Sequence, residues 1–94
     1  MGKEVLFEIP HVQLVRLASG EYCLSVEDMV LNDYVEDFLW DYYEYQSTSV
    51  TMQEHSTLAV YHNYFDANFP VEDLIDLLQE LDVAEVERIF RLNN

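Results

Sequence analysis

The sequence predicts an α+β fold: one antiparallel sheet of about five strands with three helices packed against it, residues 1–94 forming a single domain. Three observations carry this. Strand-type alternation appears near the start of the chain and again just past its middle. Each such stretch is followed by apolar residues at helical spacing. Half of the residues are apolar, which suits one modest core.

Lys3 to Ile9 reads as a strand ending at Pro10, with Val5, Phe7 and Ile9 on one side. His11 to Leu17 is a second strand. Ala18-Ser19-Gly20-Glu21 is a turn in which Gly20 supplies the special backbone angles. Tyr22 to Ser25 or Val26 returns as a third strand, so 12–26 forms a hairpin.

Ser25 with Asp28 three residues on marks a helix start. A single helix over 26–45 would set Val26, Met29 and Val30 on one face with Asp33, Asp37, Asp41 and Glu44. The apolar stripe therefore changes phase near Leu31-Asn32. The expectation is a short helical turn at 26–31, then a helix capped by Asn32 and running to about Tyr45. Asp33 and Glu36 would sit in its first turn, at the positive end of the helix dipole.

Ser47 to Gln53 and Thr57 to Phe65 read as a second hairpin, with Gln53-Glu54-His55-Ser56 as its turn. Leu58, Val60 and Tyr64 face one way and Ala59, Tyr61 and Phe65 the other. Both faces are apolar, which suits an interior strand. Pro70 fits the first position of a helix to about Leu81, with Leu74, Ile75, Leu77, Leu78 and Leu81 inward. Asp82 and Glu85 form a capping box for a last helix over Val83 to Leu92, its buried face Val83, Val86, Ile89 and Phe90.

Charge is the strongest signal. Nineteen acids oppose four bases, a net −15. The bases are Lys3, Arg16, Arg88 and Arg91, so the 71 positions from Leu17 to Glu87 hold 17 acids and no Lys or Arg. Like charges in one fold repel, and most domains intersperse both signs. Thirteen aromatics argue against a disordered acidic tail. The charge opposes direct binding of nucleic acid or anionic lipid. No apolar run approaches the roughly 18 residues of a membrane span, and Met1 to Pro10 lacks a signal-like block. A lone Cys23 excludes an internal disulfide and fits a cytoplasmic setting.

The acids fall into stripes. Asp33, Asp37 and Asp41 recur every four residues, with Glu36, Trp40 and Glu44 as the adjacent row. Tyr34, Val35, Phe38, Leu39, Tyr42 and Tyr45 take the opposite side. Glu72, Asp76 and Glu80, with Asp73, make a second acidic face. Like charges at this spacing destabilise a helix by a few tenths of a kcal/mol per pair. The last helix instead pairs Glu85 with Arg88 and Glu87 with Arg91.

Four helical residues rise about 6 Å. Phosphates along one DNA strand advance about 3.4 Å on the axis and lie further apart along the winding backbone. A rigid row of carboxylates can therefore occupy sites built for phosphates. Trp40 would be the apolar anchor and Tyr43 a rim contact.

Small size, strong acidity, many aromatics and α+β patterning resemble the phage-type DNA-mimic inhibitors, among them anti-CRISPR proteins, anti-restriction proteins and uracil-DNA glycosylase inhibitors. The resemblance covers the whole chain in composition and charge layout, without a shared motif, and carries over no functional residue. It implies a basic nucleic-acid-binding protein or nucleoprotein complex as partner, and within the class a CRISPR complex. The setting would be the host cytoplasm if a phage encodes the chain.

No catalytic or cofactor-binding pattern stands out. There is no Gly-rich phosphate loop and no nucleophile elbow. His11, His55, His62 and Cys23 are scattered, His62 with Asp66 is the nearest mixed pair, and no zinc spacing occurs. Cys23 reads as a buried strand residue. The expectation is a binding protein and not an enzyme. Two other readings compete with mimicry. One is an antitoxin-like or adaptor module with a basic partner unrelated to nucleic acid. The other is a solubility charge, with a homodimer through the C-terminal helices.

Overall fold

A computed structural model describes residues 3–42, 49–55 and 58–93, with side chains described outside 41–58. The elements run β1 (Glu4–Ile9), β2 (Val12–Arg16), β3 (Tyr22–Glu27), α1 (Met29–Tyr42), β4 (Ser49–His55), β5 (Leu58–Phe65), α2 (Val71–Leu78) and α3 (Val83–Asn93). The strands form one antiparallel sheet in the order β1-β2-β3-β5-β4. The α+β architecture is the one the periodicity predicts.

Both hairpins form. Val12 faces Val26 and Leu14 faces Leu24. Gly20, at φ 94°, lets the 17–21 turn close with Leu17 and Glu21 hydrogen-bonded at 2.8 Å. β5 lies between β3 and β4, which gives its two apolar faces neighbours on both edges. The helices cover one sheet face. Val12, Leu14, Leu24, Val26 and Phe65 meet Leu31, Val35 and Leu39 of α1, Leu74 and Leu78 of α2, and Val86 and Ile89 of α3 in one core.

Several local expectations are corrected. A bulge at Leu6 shifts the β1 register between Val5 and Phe7. Val5 therefore pairs with Val15 and is exposed, while Phe7 and Ile9 pack on the core. Of the turn expected over 53–56, Gln53, Glu54 and His55 instead continue β4, with His55 paired to Leu58, and Ser56 lies outside the described residues. α2 ends at Leu78, so Glu80 lies in the turn beyond it.

The largest correction concerns the start of α1. There is no separate turn at 26–31. Val26 belongs to β3, fully buried, and α1 runs unbroken from Met29. The link is Asp28 alone. At φ 88° it takes the left-handed region, its N–H donates to Ala59 O at 2.7 Å, and its carboxylate accepts from Leu31 N at 3.1 Å. Asp28 is thus the cap expected of Asn32. Asn32 is buried on the inner face, where its Oδ1 accepts from Asn63 Nδ2 at 3.0 Å. The same Asn63 amide donates to Leu24 O at 3.1 Å. Asp33 and Glu36 consequently lie past the first turn.

Candidate partner-binding surface

α1 rests on β3 and β5 and flanks α2 and α3. Leu31, Val35 and Leu39, four residues apart, are its buried row, with Tyr34 and Phe38 half-buried beside them. Helical geometry then turns Asp33, Asp37 and Trp40 outward, and all three are exposed. Glu36 is half-buried at the border of the face. Burial, then the neighbouring Asp33 and Asp37 carboxylates, push its pKa above the usual carboxylate value. Asp41 lies on α1, but its side chain falls outside the described residues, as do Glu44 and Tyr43. On α2, Glu72, Asp73 and Asp76 are exposed, and Glu80 is exposed in the turn that follows.

Among the described residues, Asp33, Glu36, Asp37, Glu72, Asp73, Asp76 and Glu80 form no ion pair. The bases sit elsewhere. Arg16 binds Glu4 at 3.0 Å and lies over the Tyr22 ring. Arg88 binds Glu85 through Nε at 2.9 Å, and Arg91 binds Glu87 at 3.3 Å. Asp82 caps α3, accepting from Ala84 N at 3.0 Å. The Glu85 half of the expected capping box is absent, since its carboxylate turns to Arg88, which holds its pKa below the usual range.

The outward face of α1 is not purely acidic. Met29 and Val30, which the expected turn at 26–31 would have kept off the acidic face, are 56 % and 42 % exposed, and Trp40 is 63 % exposed. A tryptophan buries roughly 150–250 Å² when enclosed. On the order of 100 Å² of ring is therefore available for burial, about 2.5 kcal/mol at about 25 cal/mol per Å². A scan against models of protein families, a search of curated proteins and a search of solved structures each find no match to this chain. The chemistry of the surface rests on its own residues.

The opposite face of the sheet has a different character. Register brings Ser25 of β3 beside His62 of β5, with Ser25 Oγ and His62 Nδ1 hydrogen-bonded at 2.8 Å. Cys23 Sγ is 3.7 Å from the same nitrogen, and burial pushes the thiol pKa up, so it stays protonated at neutral pH. Lys3, Gln13 and Tyr64 line the hollow above this cluster. Beside it, His11 at φ 71° bonds Glu27 through Nδ1 at 2.8 Å and stacks on Phe90 with ring centroids 3.6 Å apart. Spacing in sequence hid these groupings, because Cys23 and His62 meet only through the β3–β5 register. Asp66, the ligand-type residue paired with His62 in the sequence, instead accepts from Asn68 N at 3.0 Å. Among the described residues, no group of three or more His, Cys, Asp or Glu side chains could hold a metal. No described helix is long and apolar enough to cross a membrane.

Proposed function

We propose that this protein binds the positively charged nucleic-acid-binding surface of another protein, its helix-borne carboxylates occupying the places of phosphates. The observation that carries the reading is the set of exposed acids on α1 and α2, Asp33, Asp37, Glu72, Asp73 and Asp76, that form no ion pair among the described residues, in a molecule whose arginines are paired on β2 and α3. A surface of lysines and arginines gains free energy by releasing counterions when it meets phosphates. Carboxylates at helical spacing offer it the same gain, and the complex should weaken with salt. The target would be a nuclease, a CRISPR complex or another DNA-binding protein, and the protein itself an inhibitor in the host cytoplasm.

The test is a pull-down with the tagged protein, eluted by salt and separately by competing DNA. One nucleic-acid-binding protein released by both is the expected result. The Asp33→Lys/Asp37→Lys/Asp76→Lys variant should keep its fold and lose that partner. A partner that DNA does not displace points instead to an antitoxin-like or adaptor role. Recovery of assorted basic proteins only would leave the charge to solubility.

A further inference from the structure

We infer that the outward face of α1 seats a basic amphipathic helix of the partner protein, gripped by apolar contacts at both ends of an acidic pair. This rests on the reading that the acidic layer meets a basic protein, and it specifies the element that is met.

The face has an order. Met29, Asp33, Asp37 and Trp40 follow one another at steps of four, four and three residues, with Val30 beside Met29. Such a row is a single ridge on the helix surface. Its ends are exposed apolar side chains and its middle is two carboxylates about 6 Å apart along the axis. The ends lie about 16 Å apart, three helical turns. A ridge of this kind fits the groove between side-chain rows of another helix.

Charge and apolarity together choose the occupant. A second copy of this chain would bring Asp33 and Asp37 against their own kind in a molecule of net charge −15. A polar basic channel would satisfy the carboxylates but leave Met29, Val30 and Trp40 against hydrated charges. A helix with two Arg or Lys residues between two apolar ones satisfies both sets. Its arginines would reach the carboxylates, and burial of its apolar residues on the two ends would strengthen those ion pairs by excluding water.

The sole tryptophan reports the contact directly. Two helix-forming synthetic peptides of equal charge are titrated into the protein. One carries two leucines eleven residues apart flanking two arginines four apart; its twin has serine for each leucine. The leucine peptide is expected to bind at least tenfold tighter and to shift Trp40 emission to the blue. Met29→Ser/Val30→Ser and Trp40→Ala, read by anisotropy of labelled peptide, should each reduce that tenfold preference while leaving the serine peptide's affinity unchanged. Equal binding of the two peptides would overturn the inference and leave the broader proposal standing, because the acids would then be reading charge alone. Failure of both to bind at low salt would also overturn it, and the pull-down would still decide the function.

Discussion

α3 and α1 pack against one another over the same core and treat charge in opposite ways. α3 carries Glu85 and Glu87 and answers each with an arginine one turn on. α1 carries Asp33, Glu36 and Asp37 and answers none of them among the described residues. Both helices begin on an aspartate cap, Asp28 for α1 and Asp82 for α3. The fold therefore does not require unpaired acids on a helix of this layer, since α3 manages without them. The like-charge rows on α1 and α2 lower stability by a few tenths of a kcal/mol per pair, and Asp33 and Asp37 add to the burial that raises the pKa of Glu36. The proposed partner would offset a cost that the neighbouring helix avoids.

The largest effects should show where the two helices agree. Leu39 and Ile89 both enter the shared core. Leu39→Ala and Ile89→Ala are each expected to lower the unfolding free energy by about 2–5 kcal/mol, measured by urea titration. Similar losses would confine the contrast to the outward faces. A loss below about 1 kcal/mol for Leu39→Ala would mean that α1 is not docked as described, and the comparison would break.

Much of this frame is legible in the sequence. Alternation finds both hairpins, and the Asp82 cap marks α3 without tertiary context. The misreadings have one physical source, because residues that work through long-range contacts carry no local signature. The phase break read near Leu31-Asn32 does not occur: α1 runs unbroken from Met29, and the chain changes direction at Asp28, whose left-handed conformation is held by Ala59 of another strand. Asn32 looks like a cap because caps are the local use of asparagine. Its actual bond is to Asn63, 31 positions away. The Leu6 bulge has no sequence mark, and it moves Val5 to the other face. Of the surface, the acids of both helices are legible. Met29 and Val30 are not, because apolar residues are assigned inward by default.

The next effect reverses sign between the two helices. Asp37→Lys removes the repulsion with Asp33 and creates an Asp–Lys pair at i, i+4. It should stabilise the fold by about 0.3–1 kcal/mol while weakening partner binding. Arg88→Glu sets a like charge three residues from Glu85 and should destabilise. Thermal melts of both variants check the pair. Salt sharpens the same contrast: screening should raise the stability of the unaltered protein, and raise that of Asp37→Lys by less. Destabilisation by Asp37→Lys would mean that the carboxylate has a favourable partner within the chain, and the case for an external one would weaken.

The smallest effect is the pH dependence, and there too Glu36 and Glu85 should move in opposite directions. Glu36 has a raised pKa from burial and from Asp33 and Asp37, so the folded state keeps its proton where the unfolded chain has lost it. Its contribution to stability falls as pH rises from about the ordinary 4.5 through the raised value. Glu85, lowered by Arg88, contributes stability above the ordinary carboxylate value and loses it as pH falls through the lowered one. Glu36→Gln should raise stability at neutral pH by a few tenths of a kcal/mol, a figure kept small by solvent screening. It should also flatten the decline that sets in above about pH 4.5. Glu85→Gln should lower neutral-pH stability and remove a rise. Urea midpoints followed from acid pH, below the ordinary carboxylate value, up to neutral separate the two. If Glu36→Gln left the profile unchanged, neither burial nor the neighbouring Asp33 and Asp37 would be holding that proton, and Glu36 would drop out of the contrast with α3.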